Sequence, residues 1–144
     1  MPMEKWHRAD QPTAIAPDGA EIRGLIDREQ GATRLSVAEA LLHAGERTAK
    51  VRHVTVYEEI WYVLQGMGMF HLHRPDARSE ETAPVGRGDA VLVPVRHGFW
   101  MENTGATDLI WLCCGSPPWP GAQEAQPWPS DEREEGANRG SAGV

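Results

Sequence analysis

The chain has 144 residues, 40% of them hydrophobic, with 15 Gly and 11 Pro. That size and turn content fit one globular domain and exclude a multidomain assembly. Its 14 Lys and Arg against 21 Asp and Glu leave a formal charge of −7, so no overall positive field exists to gather nucleic-acid phosphates or an anionic membrane. No apolar run approaches the roughly 20 residues of a membrane helix, and Met1 to Asp10 lacks the apolar core of a signal peptide. The expected partners are small molecules or proteins, not nucleic acid or membrane, and the expected compartment is the cytoplasm. Cys113 and Cys114 are neighbours, too close for ordinary disulfide geometry, and are read as reduced thiols on opposite faces of one strand. Six Trp stand against only two Phe and two Tyr, and each indole must bury a large ring and satisfy its N–H.

In chain order, residues 1–20 are rich in Pro and Ala without a period, and read as an N-terminal arm lying over the surface. From Glu21 onward, strand-length segments predict Glu21 to Asp27, Thr33 to Leu42, Lys50 to Tyr57, Glu59 to Leu64, Met69 to His73, Asp89 to Val93, Gly98 to Glu102 and Leu109 to Cys114. Turn residues separate them, among them Ala44-Gly45, Gln65-Gly66, Gly86-Arg87-Gly88 and Asn103-Thr104-Gly105. Many short strands at this spacing predict an all-β sandwich or barrel over residues 21–114. Glu59 to Leu64 is apolar on both faces, with Trp61 and Val63 on one and Ile60, Tyr62 and Leu64 on the other. A strand of that kind must be covered twice, so the second face is expected to meet the arm or another copy, which points to a homodimer. Residues 115–144 form a Pro/Trp-rich tail: Trp119 and Trp128, bracketed by proline, are expected to pin it, and the acidic stretch from Asp131 onward is expected to be solvated and mobile.

Two stretches carry more than a fold class. Val51 to Gly66 (VRHVTVYEEIWYVLQG) places six residues between Glu59 and Gly66, with His53 upstream; Gly88 to Asn103 (GDAVLVPVRHGFWMEN) places five residues between Gly88 and Pro94. In these two stretches the chain resembles the cupin superfamily. The resemblance implies a jelly-roll barrel, a double-stranded β-helix, and the residues that such barrels use to hold a metal. The departures are specific: Thr55 stands at the second histidine position, Phe99 at the third, and Arg96 replaces a glycine. In strict register only His53 and Glu59 remain of the usual three-His, one-Glu set.

His97 lies two positions before Phe99, and by strand parity it is expected to supply a third ligand if the Arg96 substitution shifts the register. His53, Glu59 and His97 would then form a two-His, one-carboxylate set for a divalent ion such as Fe, Mn, Ni or Zn. The same pair can instead be read as an acid and a base, or as a buried hydrogen-bonded pair. Thr55, Tyr57, Trp61, Val63, Phe99 and Met101 share parity with these positions and are expected to line an apolar pocket for a small organic molecule, or simply to fill a barrel core. Phe70 and Leu72 facing inward would turn His71 and His73 to solvent. Oxygenase, isomerase, lyase and cyclase chemistries all occur on the fold that the resemblance implies, so it does not select a reaction class. The alternatives are a metal-free binding module without turnover and acid/base catalysis by His53 and Glu59 without metal.

Overall fold

A computed structural model describes residues 2–129. The acidic stretch from Asp131 lies outside the described residues. Eleven strands form: β1 (Ala14–Ile15), β2 (Glu21–Ile26), β3 (Ser36–Leu42), β4 (Val51–His53), β5 (Glu58–Gln65), β6 (Met67–His73), β7 (Glu81–Gly86), β8 (Ala90–Val93), β9 (Gly98–Asn103), β10 (Leu109–Ser116) and β11 (Ala125–Pro127). They make two antiparallel sheets, ordered β1-β2-β3-β10-β5-β8 and β11-β4-β9-β6-β7. This is an all-β jelly-roll barrel.

The inward residues of both sheets form one core. Val63, Trp61, Phe70, Phe99, Met101, Leu109 and Trp111 belong to it, each at most 4% exposed. β5 and β10 alternate almost perfectly between buried and exposed or half-buried positions, the period of two that a sheet with one covered face imposes. Trp61 packs against Trp111 at 5.0 Å and edge-on to Phe70 and Phe99 at 5.6 and 5.4 Å. Such tilted contacts let several indoles and phenyl rings share one core.

Segments near both ends of the described residues are built into the sheets. The arm first crosses the outer face of the first sheet, where Arg8 donates to Glu39 at 2.6 to 3.0 Å, and then supplies β1, which pairs with β2. The tail supplies β11 as an edge strand on β4. Trp128 lies over Gly98, where a Cβ would meet its ring at 2.7 Å, and it also contacts Lys50 and His73. The tail is therefore pinned by Trp128, as expected. Trp6, by contrast, is 44% exposed and anchors little.

His71 and His73 do not face solvent. They point away from the core as the alternation requires, yet are 8% and 5% exposed. Trp100 stacks on His71 with centroids 3.5 Å apart, while Lys50 Nζ lies 2.7 Å from Nδ1 of His73 and its Nε2 lies 2.8 Å from the Ala77 carbonyl. A cross-strand tryptophan and a folded-back loop thus cover a face that strand alternation alone assigns to water.

Arg96 has φ of +67°, the one described non-glycine residue in the left-handed region. This conformation is one that favours glycine, the residue the motif carries at this position. Its N–H donates to the His53 carbonyl at 3.1 Å, which ties this turn to the end of β4. A Cβ in this conformation costs roughly 1 to 2 kcal/mol, partly offset by the greater unfolded-state freedom of glycine. Arg96→Gly is expected to raise stability by about 0.5 to 1 kcal/mol in chemical denaturation; an equal loss would mean that the Arg96 side chain contributes more than its backbone costs.

Candidate active site

β4 and β5 carry the polar heart of the barrel. His53 is the last residue of β4 and Glu59 the second of β5; both are buried, at 2% and 7% exposed. Nε2 of His53 lies 3.4 Å from Oε1 of Glu59. Trp61 Nε1 donates to the same oxygen at 3.3 Å, and the Tyr57 hydroxyl donates to Oε2 at 3.3 Å. Nδ1 of His53 is buried without a partner. Its ring is boxed by Tyr57 at 4.9 Å, Phe99 at 4.8 Å and Trp119 at 6.0 Å.

Burial governs the charges. Removing water raises the Glu59 carboxyl to about 7, against the two donors that favour its ionised form, with the Asp18 charge pushing the same way. Burial also lowers His53 to about 4, while the Glu124 carboxylate pulls in the opposite direction. The contact between them is therefore not an ion pair at neutral pH: a neutral imidazole faces a carboxyl group close to its own midpoint. The Tyr57 hydroxyl and the Cys113 thiol are both pushed up by burial and stay protonated.

His53 and Glu59 open onto a cavity of about 320 Å³, at the small end of the range for organic-ligand pockets. Tyr57, Trp61 and Phe99 line it, with Trp111, Cys113 and Ser36 from neighbouring strands. The arm closes one side through Ala14 to Asp18, and the tail contributes Trp119, Ala122 and Ala125. The arm and the tail therefore complete the walls of the site. Gly115 makes room for Tyr57, whose hydroxyl oxygen would sit 1.8 Å from a Cβ there.

Other expected pocket residues lie elsewhere. Val63 and Met101 are buried in the core and take no part in the cavity wall. Thr55 is exposed, because β4 ends at His53 and the chain then bends. The cause is Glu124 in the tail, a 1% exposed carboxylate that accepts the N–H groups of Val54 and Thr55 at 2.7 and 2.8 Å and the Thr55 hydroxyl. These bonds hold Glu124 below the usual carboxylate range despite its burial. Glu124 carried no signal in the sequence: a glutamate in a Pro/Trp-rich tail has no spacing to tie it to a strand some 70 residues earlier.

His97 is likewise not brought to the pair. It precedes β9, directly after the left-handed Arg96, so strand parity does not extend to it; its Nδ1 lies 3.1 Å from the Val95 carbonyl, outside the cavity wall. Among the described residues no three His, Cys, Asp or Glu side chains converge as a metal-binding group. One imidazole and one carboxyl, with Thr55 turned away and Phe99 at the third histidine position, do not fit a centre needing at least three protein donors.

A family model for the Cupin domain matches residues 38–115, and the chain belongs to the cupin family. Among solved structures, the polyketide cyclase RemF from Streptomyces resistomycificus is 27% identical with a TM-score of 0.64, over 83% of this chain and 82% of that one. A predicted oxalate decarboxylase from Thermotoga maritima is 22% identical with a TM-score of 0.66, over 78% and 98%. Oxalate decarboxylase from Lactobacillus farciminis is 23% identical with a TM-score of 0.68, over 78% of this chain and 33% of that one. No curated protein matches the chain. Among the described residues no helix is long and apolar enough to cross a membrane.

Proposed function

We propose that this cupin binds a small organic molecule in the barrel cavity and moves a proton on it with Glu59 and His53, without a metal. The observation that carries this reading is the 3.4 Å contact between the two buried side chains at the cavity wall, with Glu59 poised at about 7. A general acid or base works best when its pKa lies near the operating pH. Protonated Glu59 can give its proton to a ligand oxygen, and ionised Glu59 can take one from carbon or oxygen, while His53 stays neutral beside it and offers a ring nitrogen for hydrogen bonding. Tyr57 and Trp61 then hold the carboxylate that is left, each with one hydrogen bond. The likeness to a polyketide cyclase at 27% identity supports an organic substrate and a ring-closing or isomerising reaction, because carbon–carbon closure next to a carbonyl begins with loss of a proton. The likeness to the decarboxylases rests on fold alone.

The same reading includes a homodimer. Ile60, Tyr62 and Leu64 on β5 and Leu92 on β8 are 38 to 50% exposed on the outer face of the first sheet, beyond the part crossed by the arm. A contiguous apolar face of this kind is covered in most soluble proteins, and a second copy would cover it symmetrically.

One purified sample, prepared without chelator or metal column, tests both. Elemental mass spectrometry is expected to find no stoichiometric Fe, Mn, Ni or Zn, and light scattering a mass of twice 15.9 kDa. Stoichiometric metal that disappears in His53→Ala would overturn the metal-free reading in favour of the metal-ligand role of His53. A monomer at high micromolar concentration would remove the dimer.

A further inference from the structure

Resting on that reading of the cavity, we propose that the site selects an uncharged aromatic ligand and rejects anions. No Lys or Arg side chain lines the cavity among the described residues. The ionisable groups that do are acids or groups held neutral: Asp18, Asp27 and Glu59 carry the carboxyls, and burial keeps His53 and Cys113 uncharged. Asp18 is pushed up by burial in the same way as Glu59, so the two share a region poor in both water and counter-charge.

An anion entering this space would lose its hydration and gain no cation in exchange, while facing carboxyls that ionise as the pH rises. Desolvating an unpaired charge is among the largest penalties available to a binding site. The walls reward the opposite kind of molecule. Trp61, Phe99, Trp111 and Trp119 offer ring faces and edges, and small residues such as Ala38 and Ala40 leave the room between them. Aromatic contacts of this type are directional and favour flat rings. Polar recognition is confined to one corner, where the Glu59 carboxyl can exchange a hydrogen bond with a ligand hydroxyl or carbonyl while retaining Tyr57 and Trp61.

The test compares two probes of nearly equal shape, 2-naphthol and 2-naphthoate, by calorimetric titration of the full chain at pH 7. Binding is placed at the cavity by following the His53 imidazole signal in NMR. The naphthol, uncharged at this pH, is expected to bind at least tenfold more tightly than the carboxylate and to shift the His53 signal. Equal or tighter binding of 2-naphthoate at the same signal would overturn the selectivity and leave the cavity reading standing. Failure of both probes to move the His53 signal at millimolar concentration would overturn the selectivity and the organic-ligand reading together.

Discussion

Glu59→Gln is expected to gain stability over the wild type steadily as pH rises, by about 3 kcal/mol between pH 4.5 and pH 8. In the folded protein the Glu59 carboxyl takes its proton at about 7, against 4.5 in its ordinary state. The folded form therefore binds the extra proton, and the stability it brings is complete below 4.5 and lost as pH climbs through about 7. A difference of about 2.5 pKa units corresponds to roughly 3 kcal/mol, and the near-complete burial of Glu59 leaves little solvent screening to reduce it. Glutamine keeps the shape and the acceptor oxygen but does not titrate. His53 works in the other direction: its pKa falls to about 4 from 6.5, so its contribution is present above 6.5 and lost as pH drops through about 4. The two trends offset one another in the wild type between about 4.5 and 6.5, where folded and unfolded chains each hold one proton on a different residue. The variant uncovers the His53 trend and is expected to weaken on acidification over that window. Urea denaturation of both proteins at pH 5 and pH 8 measures this; a constant difference between them would mean that Glu59 is an ordinary carboxylate, and the acid/base reading would lose its basis.

Gly66→Ala is expected to destabilise the protein by about 2 to 4 kcal/mol, far more than Gly45→Ala. Both glycines have positive φ, +88° and +81°, so each substitution incurs the left-handed penalty of roughly 1 kcal/mol. Around Gly45 there is open space, whereas a Cβ on Gly66 would meet the Asp108 carbonyl oxygen at 2.5 Å and the Leu109 Cα at 2.9 Å. Those are backbone atoms at the start of β10 and cannot swing aside, so the excess over Gly45 reports steric overlap alone. Thermal unfolding of the two variants side by side separates the terms. Equal losses would show that the β5–β6 turn relaxes and that the close approach is not enforced.

The Gly66 result bears on how much of this protein its residues announce. The spacing from Glu59 to Gly66 and from Gly88 to Pro94 was legible because it is local: a left-handed turn between two strands and a proline after a strand restrict the chain wherever it folds. Alternation located the interior strands β3, β5, β9 and β10 for the same reason. It missed β1, β7 and β11. These are edge strands with one partner each, and β7, with Glu81, Thr82 and Pro84, has no buried face long enough to impose a period. Trp61 on β5 and Phe99 on β9 reach the cavity from within strands, whereas Thr55 and His97 lie just outside strand ends, where parity has no hold.

The sequence by itself determined an acidic, all-β chain with the cupin motif spacing and singled out His53 and Glu59, because these depend on turn geometry and on side-chain period over a few residues. Tertiary structure alone decided the rest. Glu124 bends the chain at Thr55 from some 70 residues away, Arg96 holds the turn that leaves His97 outside, and the arm and tail close the cavity over the pair. Each of these is a contact between distant segments, whose formation depends on burial and unpaired N–H groups that exist only once the barrel has closed. The proton-holding character of Glu59 belongs to the same class: a carboxylate in an extended chain titrates in the ordinary range, and only exclusion of water raises it to about 7.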